Sequence, residues 1–309
     1  MDASKYPFDP EFEDLTETFA PLDEESNIKL QGIMNPLFSM EESTDDLFVE
    51  QKEFPGSDGN RIRALLYSPK TLTGPAPCLV YLHGGGFALP ASPYQYSLAR
   101  EYALEAGCRV LLVDYRLAPQ HPFPAATEDC FSAYCWVLDH AEDLSVNPAR
   151  VAVGGDSAGA TLSTVICLMA SDRHRPSPCG QMLIYPLVAV DLETESRKKY
   201  TDTPMCNTLA LEAYLKYYIP DRSAGKWEYA APLDAETLSC MPPSYIETAE
   251  FDCLHDEGIL FAERLQSFKV PVELNNTKGT MHGFDTVLDS QIVRGCVRRR
   301  VAFLKSIFC

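Results

Sequence analysis

One stretch limits the folds open to this chain more than any other. Residues 150–170 read RVAVGGDSAGATLSTVICLMA. An apolar run with the texture of a buried strand enters a tight turn at Gly155-Asp156-Ser157-Ala158-Gly159. A run of small and apolar residues with helical spacing leaves it. A strand that passes into a helix within so few residues forces an unusual backbone at the central serine. The neighbours two positions away must then be nearly without side chains, and Gly155 and Gly159 meet that need. The turn lifts the Ser157 hydroxyl above the C-terminal edge of a sheet, and the first amides of the helix face whatever that hydroxyl attacks.

The surrounding sequence supplies the sheet. LFVEQKEF and RIRALLYSP, joined by PGSDGN, predict a hairpin. Beyond it, short apolar runs alternate with helical patterns. Strands are expected at 78–82, 109–115, 150–155, 181–187, 244–251 and 271–277. Helices are expected at about 92–107, 125–143, 158–170, 256–268 and 288–308. Such alternation predicts a mostly parallel sheet covered on both faces. Two regions do not fit the rhythm. Residues 1–48 read as short acidic helical pieces, DEESNIKLQGIM and SMEESTDDLF. Residues 191–235 are too long for a simple crossover and read as an insertion.

Composition excludes several classes of partner. The net charge is −18, and residues 1–50 hold 14 acids against two lysines. An acidic surface of this kind disfavours nucleic acid and anionic membranes. The sequence contains no basic and apolar leader and no run of about 18 apolar residues, so neither secretion nor a membrane helix is expected. The eleven cysteines are scattered without a C-x-x-C, and several sit in apolar runs (Cys78, Cys130, Cys135, Cys167), which points to a reducing, cytoplasmic setting. Neither an H-E-x-x-H nor a paired Cys/His set is present, so no metal and no organic cofactor is expected.

Alone, G-x-S-x-G is modest evidence, because chance produces it in roughly one chain in ten to twenty of this length. YLHGGGF (81–87) carries more weight. Three consecutive glycines directly after a strand form a loop whose amides are not screened by side chains. Such a loop suits the alkoxide that forms when a serine attacks a carbonyl carbon. A phosphate cradle would need G-K-[ST] or G-x-G-x-x-G, and neither is present.

A serine nucleophile needs a base, and the base needs an acid, in the chain order serine, acid, histidine. His83 belongs to the glycine loop, and His121 and His140 precede the serine. His174 follows the serine helix too soon, and His255 sits at a helix start. That leaves His282 in GTMHGF as general base. Among Glu247, Glu250, Asp252, Asp256 and Glu257, Asp252 directly follows an apolar strand and is the expected acid, with Asp256 as the fallback. Asp256 and Glu257 suit the first turn of a helix. Asp114, Arg116 and the prolines of DYRLAPQHPFPAA read as scaffold, with Arg116 a candidate for a buried ion pair.

Taken together, HGGGF (83–87), DYRLAPQHPFPAA (114–126), GGDSAG (154–159), EFDCLHDEG (250–258) and MHGF (281–284) resemble the hormone-sensitive-lipase-like esterases. The resemblance covers about residues 50–309. It implies an α/β-hydrolase core over 49–309, with a helical cap built from residues 1–48 and the insertion 191–235. It implies an oxyanion hole at Gly84, Gly85, Gly86 and Ala158, in which the second and third glycines and Ala158 are the donors. It also implies short acyl esters as substrates and pairing into homodimers. Phe87 and Phe284 are expected to line the acyl pocket. Ala160, Thr161, Cys253 and His255 stand where the family commonly has Gly, Asn, Pro and Arg. The expected function is a serine carboxylesterase acting on a small-molecule ester. The alternatives are an amide, formamide or carbamate hydrolase with the same triad, and a non-catalytic ligand-binding member of the fold.

Overall fold

The structure is a computed structural model and describes residues 5–309. Its strands are β1 (Leu47–Pro55), β2 (Arg61–Pro69), β3 (Ala76–Leu82), β4 (Arg109–Asp114), β5 (Val146–Asp156), β6 (Gln181–Ile184), β7 (Ser244–Phe251) and β8 (Val272–Met281). They form one eight-stranded sheet in the order β1-β2-β4-β3-β5-β6-β7-β8. The β1–β2 hairpin is antiparallel, and β2 also runs antiparallel to β4. Every other neighbouring pair is parallel.

The helices are α1 (Glu24–Met34), α2 (Pro93–Ala106), α3 (Ala125–Asp139), α4 (Ala158–Asp172), α5 (Glu195–Lys199), α6 (Thr208–Tyr218), α7 (His255–Ser267) and α8 (Gln291–Ile307). Local chemistry marks their ends. Ser92 and Gln95 form a capping box at the start of α2, Pro93 occupies its first turn, and Gly107 ends it in the left-handed region at φ 64°. Asp23, Asn207 and Ser290 cap α1, α6 and α8 through their side chains.

The strands are apolar on both faces because helices cover both. Leu66, Val80, Leu111 and Val153 pack with α3, α4 and α7. Their chain neighbours Leu65, Leu79, Leu112 and Ala152 point the other way, toward α2 and α8. Because β3, β5, β7 and β8 run in the same direction, their C-terminal ends lie along one edge of the sheet, between the two layers.

Two expected elements differ. Residues 39–48 are not helical: a 3-10 turn over Asn35–Met40 ends there and β1 begins at Leu47. Short polar side chains compete for the backbone in this stretch. Ser43 Oγ accepts from the Val49 amide, and Glu41 is drawn to Arg100. β6 stops at Ile184, because Tyr185 takes a positive φ of 34° and Pro186 has no N–H to continue the ladder.

The acidic first segment and the 191–235 insertion both lie outside the sheet and meet each other. Phe19 and Met205 form a short parallel bridge. The Met205 amide donates to Thr18 O at 2.6 Å, and the Ala20 amide to Met205 O at 3.0 Å. Tyr217 of α6 donates to Leu22 O at 2.9 Å.

Candidate active site

Ser157 lies between β5 and α4 with φ 54° and ψ −118°. A Cβ added to Gly159 would sit 1.9 Å from Leu82 O, and one added to Gly155 would sit 2.2 Å from the same oxygen. The turn therefore presses against the end of β3, and any side chain at either position would collide with backbone.

The structure brings Ser157, His282 and Asp252 together. His282 Nε2 lies 2.9 Å from Ser157 Oγ. His282 Nδ1 lies 2.8 Å from Asp252 Oδ2. Asp252 is fully buried, and its second oxygen accepts from the Leu254 amide at 2.9 Å. With Nδ1–H donating to the carboxylate, Nε2 is left to accept the serine proton. Burial disfavours the imidazolium, but the charge and hydrogen bond of Asp252 outweigh it and raise the His282 pKa to about 9.

The other candidate acids are engaged elsewhere. Asp256 accepts from the Ser196 amide at 2.8 Å and pairs with His255 at 2.9 Å. Glu250 accepts from the Gly279 amide. Glu257 accepts from the Val188 amide and pairs with Arg197, and Glu247 pairs with the fully buried Arg300. Arg116 holds the buried Asp129 through two side-chain bonds of 2.8 and 2.9 Å and a third from its own amide at 3.0 Å, a scaffold contact.

The glycine loop follows β3, with Gly85 at φ 115° and Gly86 at φ 62°. The amides of Gly85, Gly86 and Ala158 have no hydrogen-bond acceptor among the described residues. Gly84 has a different place. A Cβ there would lie 2.3 Å from Asp156 Oδ2, and its amide helps to hold the Asp156 charge. Gly84, expected as part of the oxyanion hole, is therefore turned toward Asp156, while Gly85, Gly86 and Ala158 are the residues with free amides among those described.

Asp156 was not singled out by sequence reasoning, although it stands directly before the serine. It is almost fully buried, and burial raises its pKa. Opposing that, Tyr94 donates at 2.9 Å, Gln95 at 2.7 Å and Tyr81 at 3.1 Å. This carboxyl ties the glycine loop, α2 and the serine turn together. Tyr185 was also missed. Its ring centroid lies 4.6 Å from that of His282, and its hydroxyl donates to Asp285, which pairs with Arg300.

A cavity of about 480 Å³ opens onto Ser157 and His282. Its wall is mostly apolar, with Leu30 and Met34 from α1, Leu211 and Tyr214 from α6, and Met205 and Leu187 between them. Phe87 and Phe284 do not line it, contrary to expectation. Phe87 takes φ 61°, and its ring turns away to stack on Tyr218 at 3.6 Å. Phe284 is fully buried between Phe12 and Tyr185, each 5.9 Å away. Among the described residues, no group of three or more His, Cys, Asp or Glu side chains could hold a metal ion, and no helix is long and apolar enough to cross a membrane.

Comparison with known proteins identifies the family. A family model described as the alpha/beta hydrolase fold matches residues 79–286. The carboxylesterase NlhH of Mycobacterium tuberculosis is 37% identical over 244 residues, 77% of this chain and 76% of that protein. The ethyl acetate hydrolase of Pseudomonas putida is 34% identical over 235 residues, 74% of this chain and 72% of that protein. The solved structure of a bacterial heroin esterase superposes with a TM-score of 0.89 at 31% identity, covering 98% of both chains. The chain belongs to the hormone-sensitive-lipase-like branch of the α/β-hydrolases and is a carboxylic ester hydrolase.

Proposed function

We propose that this ester hydrolase works through Ser157 as nucleophile, His282 as general base and Asp252 as its orienting acid, on esters with short acyl groups. The observation that carries the reading is the unbroken run of bonds from Ser157 Oγ to His282 to Asp252 at 2.9 and 2.8 Å, beside three amides without acceptors. Ser157 attacks the ester carbonyl while its proton passes to His282 Nε2. The alkoxide is met by the amides of Gly85, Gly86 and Ala158. His282 then protonates the leaving alcohol, and Asp252 stabilises the imidazolium without taking its proton. Water, activated by His282, releases the acyl group from Ser157.

A cavity of about 480 Å³ supports acyl groups of about two to eight carbons. A relative named as an ethyl acetate hydrolase supports the short end of that range. Residues 1–48 and 191–235 act as a cap, since both supply side chains to the cavity wall. Eleven unpaired cysteines support a cytoplasmic setting.

The test is hydrolysis of p-nitrophenyl esters from acetyl to palmitoyl, with Ser157→Ala alongside. Turnover that is fastest on the shorter acyl chains and lost by orders of magnitude in the variant is the expected result. Equal turnover by folded Ser157→Ala refutes the nucleophile. A profile rising toward palmitoyl refutes the short-chain assignment.

A further inference from the structure

The glycine loop is not held by the sheet alone. Its own bonds form one turn, with the Ala88 and Leu89 amides donating to Gly85 O at 3.0 and 2.8 Å. Further contacts reach that turn from the two segments outside the sheet. Gln31 of α1 is a buried polar residue of the acidic first segment. Its Nε2 donates to Ala88 O at 2.7 Å and to Ala118 O at 3.0 Å. Gln120 in turn donates to Gln31 Oε1 at 2.9 Å, which fixes the amide in that direction. From α6, the ring of Tyr214 lies against Gly86, so close that a Cβ there would sit 2.5 Å from its Cγ and Cδ2. The buried Tyr214 hydroxyl has no hydrogen-bond partner among the described residues, so the ring makes the contact that matters.

We propose that the two segments over the site set the direction of the oxyanion amides, with Gln31 and Tyr214 as positioning residues. This rests on the reading that Gly85 and Gly86 donate to the oxyanion. A donor pair on a loop with two positive-φ glycines has little stiffness of its own. Losing one external contact lets the amides swing without removing them. Deleting a whole donor lowers the rate about 10²–10³-fold. Misalignment by about 1 Å is of comparable weight. The segments therefore shape turnover as well as substrate entry.

The experiment measures kcat, KM and the affinity for phenylboronic acid in Gln31→Met, Tyr214→Ala and Tyr214→Phe, with circular dichroism to establish folding. The probe takes a lone pair from Ser157 Oγ into the empty boron orbital. The serine proton moves to His282, and the tetrahedral adduct reports the oxyanion site. Gln31→Met and Tyr214→Ala are expected to lower kcat roughly 10–100-fold with KM within about threefold, and to weaken the boronate by a similar factor. Tyr214→Phe keeps the ring and is expected to recover most of the kcat and boronate affinity that Tyr214→Ala loses. Gln120→Ala frees the Gln31 amide without emptying its site. It should lower kcat several-fold, and it decides the matter should the larger changes fail to fold. Folded variants with unchanged kcat, or a rise in KM alone, overturn the positioning roles. So does a Tyr214→Phe defect as large as that of Tyr214→Ala. An active Ser157→Ala would instead remove the serine mechanism beneath them.

Discussion

Asn at position 252 keeps the size of the side chain and removes its charge. In the wild type the Asp252 carboxylate lifts the His282 pKa from 6.5 to about 9 against the opposing effect of burial. A shift of that size corresponds to about 3 kcal/mol favouring the imidazolium, or about 10² in rate if all of it is realised in the transition state. The Asn amide adds a second defect. By donating to Nδ1 it leaves the ring proton on Nε2, which then cannot accept from Ser157, and a wrong tautomer of this kind lowers kcat by up to about 10⁴. Asp252→Asn is therefore expected to lose between about 10² and 10⁴ in kcat, with KM little changed. The pH profile adds a signed prediction. The base must be neutral to act, so wild-type kcat/KM should rise with pH through a midpoint above 6.5 and still be climbing between pH 7 and 9. Without the carboxylate, burial acts unopposed and the midpoint should fall below 6.5. The assay is kcat/KM on p-nitrophenyl butyrate from pH 5 to 10. Asp256→Asn is the control, because Asp256 serves Ser196 and His255. An Asp252→Asn plateau within tenfold of wild type, an unmoved midpoint, or an equal loss in Asp256→Asn would refute the reasoning.

Two further predictions concern buried side chains behind the site. Phe87→Ala should leave the acyl-length profile unchanged while lowering stability by about 3–5 kcal/mol, roughly 5–8 °C in Tm for a chain of this length; a changed profile in a stable variant would return Phe87 to the cavity wall. Arg300→Met leaves Glu247 and Asp285 buried without their cation and should destabilise the protein by about 3–5 kcal/mol. Burial already raises the Asp285 pKa to about 6 despite Arg300. An acid whose pKa is raised on folding favours the native state at low pH and loses that contribution as pH rises through the folded value. Removing the cation extends the loss upward, so urea denaturation should show a larger deficit at pH 8 than at pH 5, and an equal deficit at both would count against this account.

How much of this was legible in the sequence depended on the range over which each constraint acts. Gly155, Ser157 and Gly159 announce their turn because its backbone demand is concentrated in five residues, although the oxygen that a Cβ there would strike, Leu82 O, belongs to β3. The hairpin at 47–69, the capped helix 93–106 and the alternation of strand and helix were readable for the same reason: hydrogen bonds and side-chain period lie close along the chain. Asp252 and His282 could be selected because a parallel sheet delivers successive strand ends to one edge, so chain order carries spatial order. Where the deciding contact lay far away, local pattern misled. Residues 39–48 looked helical until side-chain bonds to Val49 and Arg100 claimed their ends. Phe87 and Phe284 stood beside the right residues, but their rings were turned from the cavity by Tyr218, 131 residues on, and by Phe12. Gln31 read as one polar position on an acidic helix, and only packing buried it against the glycine loop, 57 residues on at Ala88. Backbone sterics and strand order thus set the serine turn and the sequence of groups that meet there. The direction of each side chain, and with it the wall of the cavity and the grip on the glycine loop, was decided by close packing between segments that the sequence keeps apart.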